Sequence, residues 1–173
     1  MHKRGSLLRF TIRHIIETDV DSFWEMYFDE AYNDAMYKDE LKFSIYELLS
    51  LTRQDDGSVL RRTNNGPPIE LPAAIKRVGA FTSYIEEGRY DPRVGRWIAD
   101  FVPASMGEKT KTHAEVWVEP RGDKRCERFA EVDVRVKIFG VGKLVEKFVE
   151  QQTCRLYEDA ARFTNQWIAD KGL

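Results

Sequence analysis

The side chains of widest chemical use in this sequence are three histidines and two cysteines. The spacing of His2, His14 and His113 matches no HxxxH or HExxH metal motif, and no CxxC pair is present. Cys126 and Cys154 have no paired spacing and no neighbouring base in the sequence, so we expect two unreactive thiols in a reducing compartment. The sequence therefore predicts no metal site and no cofactor.

Catalytic signatures of other kinds are missing as well. The sequence contains no GxGxxG fingerprint, no Walker phosphate loop and no GxSxG nucleophile elbow. A Ser-His-Asp arrangement built from distant segments would leave no local motif, so that alternative stays open. We expect no catalytic residue, and an enzyme is the less favoured interpretation.

His14 is the histidine with the clearest predicted environment. Residues Leu7 to Glu17 alternate in polarity with a period of two, which is typical of a half-buried strand. His14 falls on the apolar face with Phe10 and Ile12, where an imidazole can hydrogen-bond a ligand or carry a proton. The alternative, which we favour, is a core histidine paired with a neighbour, since buried polar groups are normally hydrogen-bonded.

Aromatic residues form the second group of candidates for a binding site. Trp97 and Phe101 face inward if the charged residues beside them face solvent, and Gln152 lies on the apolar stripe of the last predicted helix. Ligand pockets are mostly apolar with a few polar groups, so this composition suits a cavity, although a plain core has the same composition. The candidates for a ligand cavity are His14, Trp24, Tyr27, Phe28, Tyr84, Trp97, Phe101, Val134, Phe148 and Gln152.

Basic residues concentrate in the first half of the chain, where they alternate with acids. Such residues can draw a surface towards anionic lipid headgroups, but the stronger interpretation is a solvated face. The charged run EPRGDKRCER at 119–128 is interpreted in the same way, as a solvated turn. The basic residues of the first half are Lys38, Lys42, Arg53, Arg61, Arg62, Lys76 and Arg77.

The elements that position these residues follow from periodicity and turn signals. After the first strand, apolar residues recur at helical spacing from Val20 to Ala31, and Thr18 or Asp19 can cap this helix. Asp55-Asp56-Gly57 separates two strand-like runs, which predicts a hairpin. The remaining predicted segments are a short helix at Ala31–Lys38, hairpin strands at Lys42–Gln54 and Ser58–Asn64, a short helix at Leu71–Val78, strands at Ala80–Glu87, Arg93–Val102, Thr110–Glu119 and Arg125–Ile138, and a long helix at Lys143–Asp170.

This order predicts one α+β domain over residues 1–173, with about seven antiparallel strands curved around the last helix. The apolar face of the sheet must be covered, and the long helix carries an apolar stripe that can cover it. We expect Phe148, Phe163 and Trp167 to be buried against the concave face. Whether the wedge between sheet and helix is open or filled decides between a ligand site and a packed core.

Composition narrows the class of function. Apolar residues make up 42% and charged residues 32% of the sequence, as in ordinary globular proteins. A net charge of −2 gives no general attraction for nucleic acid, so we expect no nucleic-acid partner. No window reaches the ~18 apolar residues of a membrane span, and the basic start lacks the apolar run of a signal peptide. We therefore expect a cytoplasmic protein and leave its oligomeric state open.

Four sequence segments carry a resemblance to a known superfamily. They are FTIRHIIETDVDSFWEMYFD, LPAAIKRVGAFTSYIEE, ERFAEVDVRVKIFGVGKLVEKFV and the closing FTNQWI. With the order of elements, they resemble the helix-grip fold of the START-like (SRPBCC) superfamily, which includes lipid-transfer domains and polyketide cyclases. The sequence is most similar to an uncharacterised bacterial family within it, the domain of unknown function 2505. Most of these residues are packing residues, so the resemblance specifies fold more than chemistry.

The resemblance implies a function that the residues alone do not. Members of the superfamily bind sterols, phospholipids, polyketides or other apolar ligands, and a few are enzymes. The expectation is binding or transport of a hydrophobic small molecule or lipid, without catalysis. The alternatives are a cyclase- or dehydratase-like enzyme, which would need His14 facing inward with a partner, and a packed interaction module without a ligand.

A cavity of this kind is expected to open where loops join the strands to the helix. Three loops are candidates, at Asn64–Pro72, Val102–Lys109 and Phe139–Lys143. Apolar loop residues near a cavity can shield a ligand or make a transient membrane contact, and the alternative is that they pack onto the core. The gate candidates are Ile69, Leu71, Phe139 and Val141.

Overall fold

Seven antiparallel strands form one sheet in the described part of the chain. The computed structural model describes residues 7–77, 83–105 and 109–173. The strands are β1 (Leu7–Ile16), β2 (Ile45–Arg53), β3 (Val59–Gly66), β4 (Tyr84–Asp91), β5 (Arg96–Pro103), β6 (Thr110–Pro120) and β7 (Cys126–Val136). Their order in the sheet is β1-β7-β6-β5-β4-β3-β2, so β2 to β7 form a meander and β1 closes onto the last strand.

The helices lie after the first strand and at the end of the chain. They are α1 (Val20–Tyr27), α2 (Glu30–Asp34), a π-helical turn (Ala35–Glu40), α3 (Ala73–Lys76) and α4 (Gly142–Lys171). Asp19, rather than Thr18, caps α1 by accepting a hydrogen bond from the Ser22 amide at 2.9 Å. The predicted seven strands, two short helices after the first strand and long C-terminal helix are confirmed.

The ends of some strands and helices differ from the predicted ones. The strand predicted from Arg93 begins at Arg96, because the amide of Gly95 bonds to the Asp91 carbonyl in a tight turn. The positive φ of Gly95, +62°, is one that a residue without Cβ adopts readily. The helix predicted at Leu71–Val78 extends only over Ala73–Lys76. Residues 80–82 of one predicted strand, 106–108 of one gate loop, Val78 and His2 lie outside the described residues.

The concave face of the sheet is covered by α4, which packs against β1 and β7. Inward and outward residues alternate along both strands as predicted, and the inward Ala130, Val132, Val134 and Val136 are buried. The alternation confirms that one face of the sheet belongs to the core.

Three large aromatic residues of α4 are buried only in part. Phe148, Phe163 and Trp167 were predicted to be buried against the concave face, and each is buried only in part. The rings of Phe163 and Trp167 contact Tyr32 of α2, with centroid distances of 6.0 and 5.8 Å. The buried positions of the C-terminal half of α4 are Ala160, Ala161, Thr164 and Ile168, whose smaller side chains let the helix approach its neighbours closely.

A row of very small residues crosses the middle of the concave face. Gly88 of β4 pairs with Ala99 of β5, and Ala99 pairs with Ala114 of β6. A Cβ atom at Gly88 would lie 2.1 Å from Cζ2 of Trp97, so the indole of the next strand occupies the space above this glycine. Open space between the sheet and α4 remains over Ala114, whereas the indole of Trp97 covers Gly88.

Candidate functional site

A cavity of about 220 Å³ lies between the sheet, the short helices and α4. Phe23, Met26 and Met36 border it on the side of the short helices, and Val116 and Val132 on the side of the sheet. Apolar and aromatic side chains form most of its wall, as in known ligand pockets. The wedge that the sequence left undecided is therefore open.

Six of the ten residues predicted to line a ligand cavity do line this one. The candidates that line it are Tyr27, Tyr84, Trp97, Phe101, Phe148 and Gln152. Four other candidates do not border it, namely His14, Trp24, Phe28 and Val134. Of these, Trp24 and Phe28 pack beside it in an aromatic cluster with Tyr90, and Val134 is fully buried in a second apolar cluster near the start of α4.

The gate candidates also separate into different environments. Ile69 lines the cavity together with Pro67 of the same loop. Leu71 and Val141 pack against the second apolar cluster, as the packing alternative expected. Phe139 is 97% exposed and does not border the cavity.

His14 is held between two charged residues instead of facing the cavity. Its Nδ1 accepts a hydrogen bond from Nη2 of Arg128 at 3.1 Å, because a guanidinium can only donate. The proton therefore sits on Nε2, which donates to Oε2 of Glu158 at 2.9 Å. Burial lowers the pKa of His14 and Arg128 lowers it further, against the opposing effect of Glu158. The imidazole is thus a neutral bridge, the arrangement expected of a core histidine.

Arg61 and Glu86 form a buried ion pair in the cavity wall. Nη2 of Arg61 lies 2.9 Å from Oε1 of Glu86, and the two side chains are only 5% and 8% exposed. Nη1 of Arg61 donates to the Tyr27 carbonyl at 3.0 Å, and the guanidinium lies 4.8 Å from the ring centroid of Trp97. Burial alone would lower the pKa of Arg61, but the carboxylate of Glu86 and the nearby phenols of Tyr27, Tyr37 and Tyr46 together raise it.

The expectation of a solvated basic face is wrong for Arg61. Its strand alternates, with Val59, Arg61, Thr63 and Asn65 buried and Leu60 and Arg62 exposed. Arg61 lies two positions after the apolar Val59, so strand alternation places both on the same face, and this was the available signal. The neighbouring Arg62 instead suggested that both arginines face solvent. Sequence reasoning also missed Glu86, which shares the inward face of β4 with Tyr84.

Arg128 is a second buried guanidinium that lines the cavity. Its Nη2 donates to Nδ1 of His14 and to the Tyr157 carbonyl, each at 3.1 Å. The guanidinium carbon lies 4.9 Å from the centroid of the Tyr157 ring. Arg128 is only 6% exposed, so the interpretation of 119–128 as a solvated turn is wrong for its last residue. Arg128 lies on the same strand face as Ala130 and Val132, which are both buried, and this alternation was the signal for an inward position.

Phenol groups supply further polarity to the wall. Tyr27, Tyr32, Tyr37, Tyr84 and Tyr157 all line the cavity. Burial raises the pKa of each, so the phenols are neutral and can donate hydrogen bonds. The Tyr32 hydroxyl is paired with Oγ1 of Thr164 at 2.7 Å. Within the described ranges, the other four hydroxyls have no hydrogen-bond partner in the chain.

Two polar atoms of the wall are buried and have no hydrogen-bond partner. They are Nε of Arg61 and Oγ1 of Thr110, again counting only partners among the described residues. Buried polar groups are normally paired, so unpaired donors and acceptors around an open space are positions where a bound molecule can interact. The arrangement can hold an apolar molecule and orient its polar groups.

Outside the cavity, the described residues include side chains that can ligate a metal ion and two cysteines. No cluster of three or more His, Cys, Asp or Glu side chains suited to a metal ion occurs among the described residues. Cys126 and Cys154 are free, and burial raises the pKa of Cys126 to about 11. In the described part of the chain, no helix is long and apolar enough to cross a membrane.

The chain matches a family model described as "Protein of unknown function (DUF2505)" over residues 11–168. The curated proteins contain no match to this sequence. Among solved structures, a point mutant of norcoclaurine synthase from Thalictrum flavum, in complex with a transition-state analogue, superimposes with a TM-score of 0.71. The two sequences are 16% identical, and the match covers 99% of this chain and 100% of that one.

Two further solved structures extend the similarity. The Zhui aromatase/cyclase from Streptomyces sp. R1128 has a TM-score of 0.62 at 11% identity, covering 91% of this chain and 94% of that one. A START superfamily protein from Mycobacterium smegmatis has a TM-score of 0.53 at 15% identity, covering 96% and 99%. At these identities the likeness establishes the fold alone, which is the START-like helix-grip fold that the sequence predicted.

Proposed function

The chain belongs to the DUF2505 family of proteins of unknown function, and from its cavity we propose that it binds a hydrophobic small molecule between the sheet and α4. One observation carries this proposal. The interior holds an open space of about 220 Å³ whose mostly apolar wall contains two polar atoms, Nε of Arg61 and Oγ1 of Thr110, that are buried without a partner among the described residues. A packed interaction module has no need of such a space, and unpaired polar groups around it lower stability unless a ligand satisfies them.

The size of the cavity limits what it holds. A dry apolar cavity of about 150 Å³ accommodates benzene, and pockets for drug-sized ligands measure about 300–1,000 Å³. A volume of about 220 Å³ therefore suits one substituted ring or a short acyl chain. A sterol or a two-chain phospholipid would require the cavity to enlarge.

The loop between β3 and α3 is the proposed entrance. Pro67 and Ile69 of this loop line the cavity, as do Ser83, Pro103 and Thr110 at the ends of three strands. Displacing Ile69 would open a path from solvent without breaking a strand pair. Phe139 lies on a separate turn before α4, and its exposed ring is our candidate for a transient membrane contact.

The binding proposal is tested by filling the cavity. Ala114→Leu adds three carbons inside it, whereas Lys111→Leu makes a similar side chain on the exposed face of the same strand. Native mass spectrometry of wild-type protein is expected to show a co-purified small molecule. After its removal, small aromatic compounds should raise the thermal midpoint of wild type and Lys111→Leu, but not of Ala114→Leu. If no compound is found and none raises the midpoint of wild type, the proposal is wrong.

A second candidate function is an enzyme acting in the same cavity, and Glu86 is the observation that favours it. Oε1 of Glu86 is paired with Arg61, while Oε2 accepts no hydrogen bond from any described residue. The free oxygen of such a carboxylate lies where a general base could act on a bound molecule. Turnover that is lost in Glu86→Gln while binding is retained would support an enzyme. His14, which the sequence suggested for this role, does not border the cavity.

A further inference from the structure

The charges in the wall of the cavity do not balance. Three ionised residues line it, namely Arg61, Glu86 and Arg128. Arg61 and Glu86 neutralise each other at 2.9 Å. Among the residues that the structure describes, no carboxylate lies within ion-pair distance of Arg128. One positive charge in the wall is left without a direct counter-ion.

The neighbours of Arg128 do not compensate that charge. The groups that accept hydrogen bonds from its Nη2 are the neutral imidazole of His14 and the carbonyl of Tyr157. Glu158 lies on the far side of the imidazole, bonded to its Nε2, with a side chain that is 59% exposed to water. An arginine stays charged in proteins, and removing a charge from water without a partner is costly.

Part of the guanidinium is still free to bind something. Nε and Nη1 of Arg128 make no hydrogen bond to the described part of the chain, and neither is among the atoms sealed off from solvent. Arg128 is 6% exposed, so what these N–H groups face is chiefly the cavity that the residue lines. The bonds made by Nη2 and the stacking on Tyr157 hold the guanidinium in place before a ligand arrives.

We propose that the molecule bound in the cavity is an apolar monocarboxylic acid whose carboxylate pairs with Arg128. This inference rests on the proposed binding function and adds the chemical class of the ligand. A carboxylate accepts hydrogen bonds through both oxygens, and its bonds to a guanidinium are charge-assisted. It supplies one negative charge for the one uncompensated positive charge. The volume of about 220 Å³ leaves room for a single ring or a short chain attached to it.

Three probes of nearly equal size and different charge test the proposal. They are 3-phenylpropanoate, 3-phenylpropan-1-ol and 3-phenylpropylamine, titrated into ligand-free protein at pH 7.5 by calorimetry. Wild type is expected to bind the acid at least about 10-fold more tightly than the alcohol, and the amine most weakly. Arg128→Met should bring the acid and the alcohol within about 3-fold of each other, mainly by weakening the acid. Arg135→Met, which removes an exposed arginine from the same strand, should leave the preference unchanged.

The outcomes separate this inference from the function on which it rests. If wild type binds the alcohol or the amine as tightly as the acid, the carboxylate proposal is overturned and the binding function stands. If none of the three probes binds, both proposals fail for ligands of this size. The wild-type comparison does not depend on the folding of any variant. If Arg128→Met does not fold, Arg128→Gln removes the charge but keeps a polar side chain, and an unchanged preference for the acid in that variant would overturn the assignment to residue 128.

Discussion

At the scale of single residues, charged side chains occupy inward positions where an apolar residue would be expected. Arg61 is tolerated there because Glu86 balances its charge, the Tyr27 carbonyl accepts one of its hydrogen bonds, and aromatic rings cover its planar faces. Such a pair adds little net stability compared with well-packed apolar residues, but the loss of one partner is costly because the other charge remains buried.

We expect Glu86→Gln to destabilise the protein by about 3–5 kcal/mol, because it leaves Arg61 buried without its counter-charge. Urea unfolding measures this loss. Glu87→Gln is the matched control, since Glu87 pairs with Arg62 on the exposed face of the same strands and should change stability by about 0.5 kcal/mol or less. The double variant Arg61→Met/Glu86→Leu should be more stable than Glu86→Gln. Similar losses of unfolding free energy in Glu86→Gln and Glu87→Gln would contradict the conclusion that the ion pair of Arg61 and Glu86 is buried.

His14 is expected to make the stability of the fold depend on pH below neutrality. Its pKa is lowered in the folded protein, chiefly by burial, from about 6.5 in the unfolded chain. Between the two pKa values the unfolded chain binds more protons, so stability rises with pH there and falls as the pH drops below about 6.5. The charged groups facing His14 are Arg128 from β7 and Glu158 from α4, and protonation would place two cations side by side.

Urea unfolding of wild type and His14→Gln between pH 7 and pH 5 measures this effect. Glutamine can still accept from Arg128 and donate to Glu158, but it does not titrate. The stability advantage of wild type over His14→Gln should therefore shrink as the pH falls. Parallel losses in the two proteins would show that another group is responsible.

At the scale of elements, the strands decide where the open space lies. Gly88, Ala99 and Ala114 lie side by side on three neighbouring strands, and of the three only Ala114 borders the cavity. Trp97 lies on the strand next to Gly88. Its indole covers Gly88 and forms part of the wall of the cavity. The position of the indole and the absence of a side chain at Gly88 therefore depend on each other.

Gly88→Ala is expected to cost about 1–3 kcal/mol, the usual range for overpacking a core, because the new Cβ would lie 2.1 Å from Trp97 Cζ2. The φ angle at Gly88 is not positive, so the effect should come from the clash and not from the backbone. Removing the indole tests this directly. In a Trp97→Leu background, Gly88→Ala should cost much less, and an equal cost in both backgrounds would mean that the indole is not the obstacle.

At the scale of the whole molecule, the sheet and α4 enclose a space whose wall comes from nearly every element. Ligand entry then needs one segment to move while the strand pairs stay intact. The loop that carries Pro67 and Ile69 lies between β3 and α3 and borders the cavity, whereas the turn at Phe139 points into solvent. These positions favour the loop around Ile69 over the loop around Phe139 as the gate.

Hydrogen exchange with and without 3-phenylpropanoate tests the gate. We expect the ligand to slow exchange in residues 67–77, because a filled cavity holds Ile69 in place. Exchange at 139–141 serves as the internal reference and should not change. Protection confined to 139–141 would place the entrance before α4, and unchanged exchange in both segments at saturating ligand would mean that neither loop is a gate.

Much of the fold could be predicted from the sequence because the signals are local. The alternation along β1 and β7 and the helical spacing in α4 come from the geometry of one strand or one helix, so they can be read without knowing what lies opposite. The same local signals predicted six of the residues that line the cavity, among them Tyr27, Trp97 and Gln152. They also carried the resemblance to the START-like superfamily.

Only the tertiary structure decided which charged residues belong to the interior and whether the interior is open. Arg61 meets Glu86 across 25 positions of sequence, and Arg128 meets His14 across 114. A charged side chain on an inward strand position is stable only if such a partner stands opposite, and neither local pattern nor composition records that partner. The cavity has the same origin, since Glu86, Trp97 and Ala114 come together in its wall only once three separate strands are paired in register. Local periodicity therefore determined the elements, and long-range pairing determined the site.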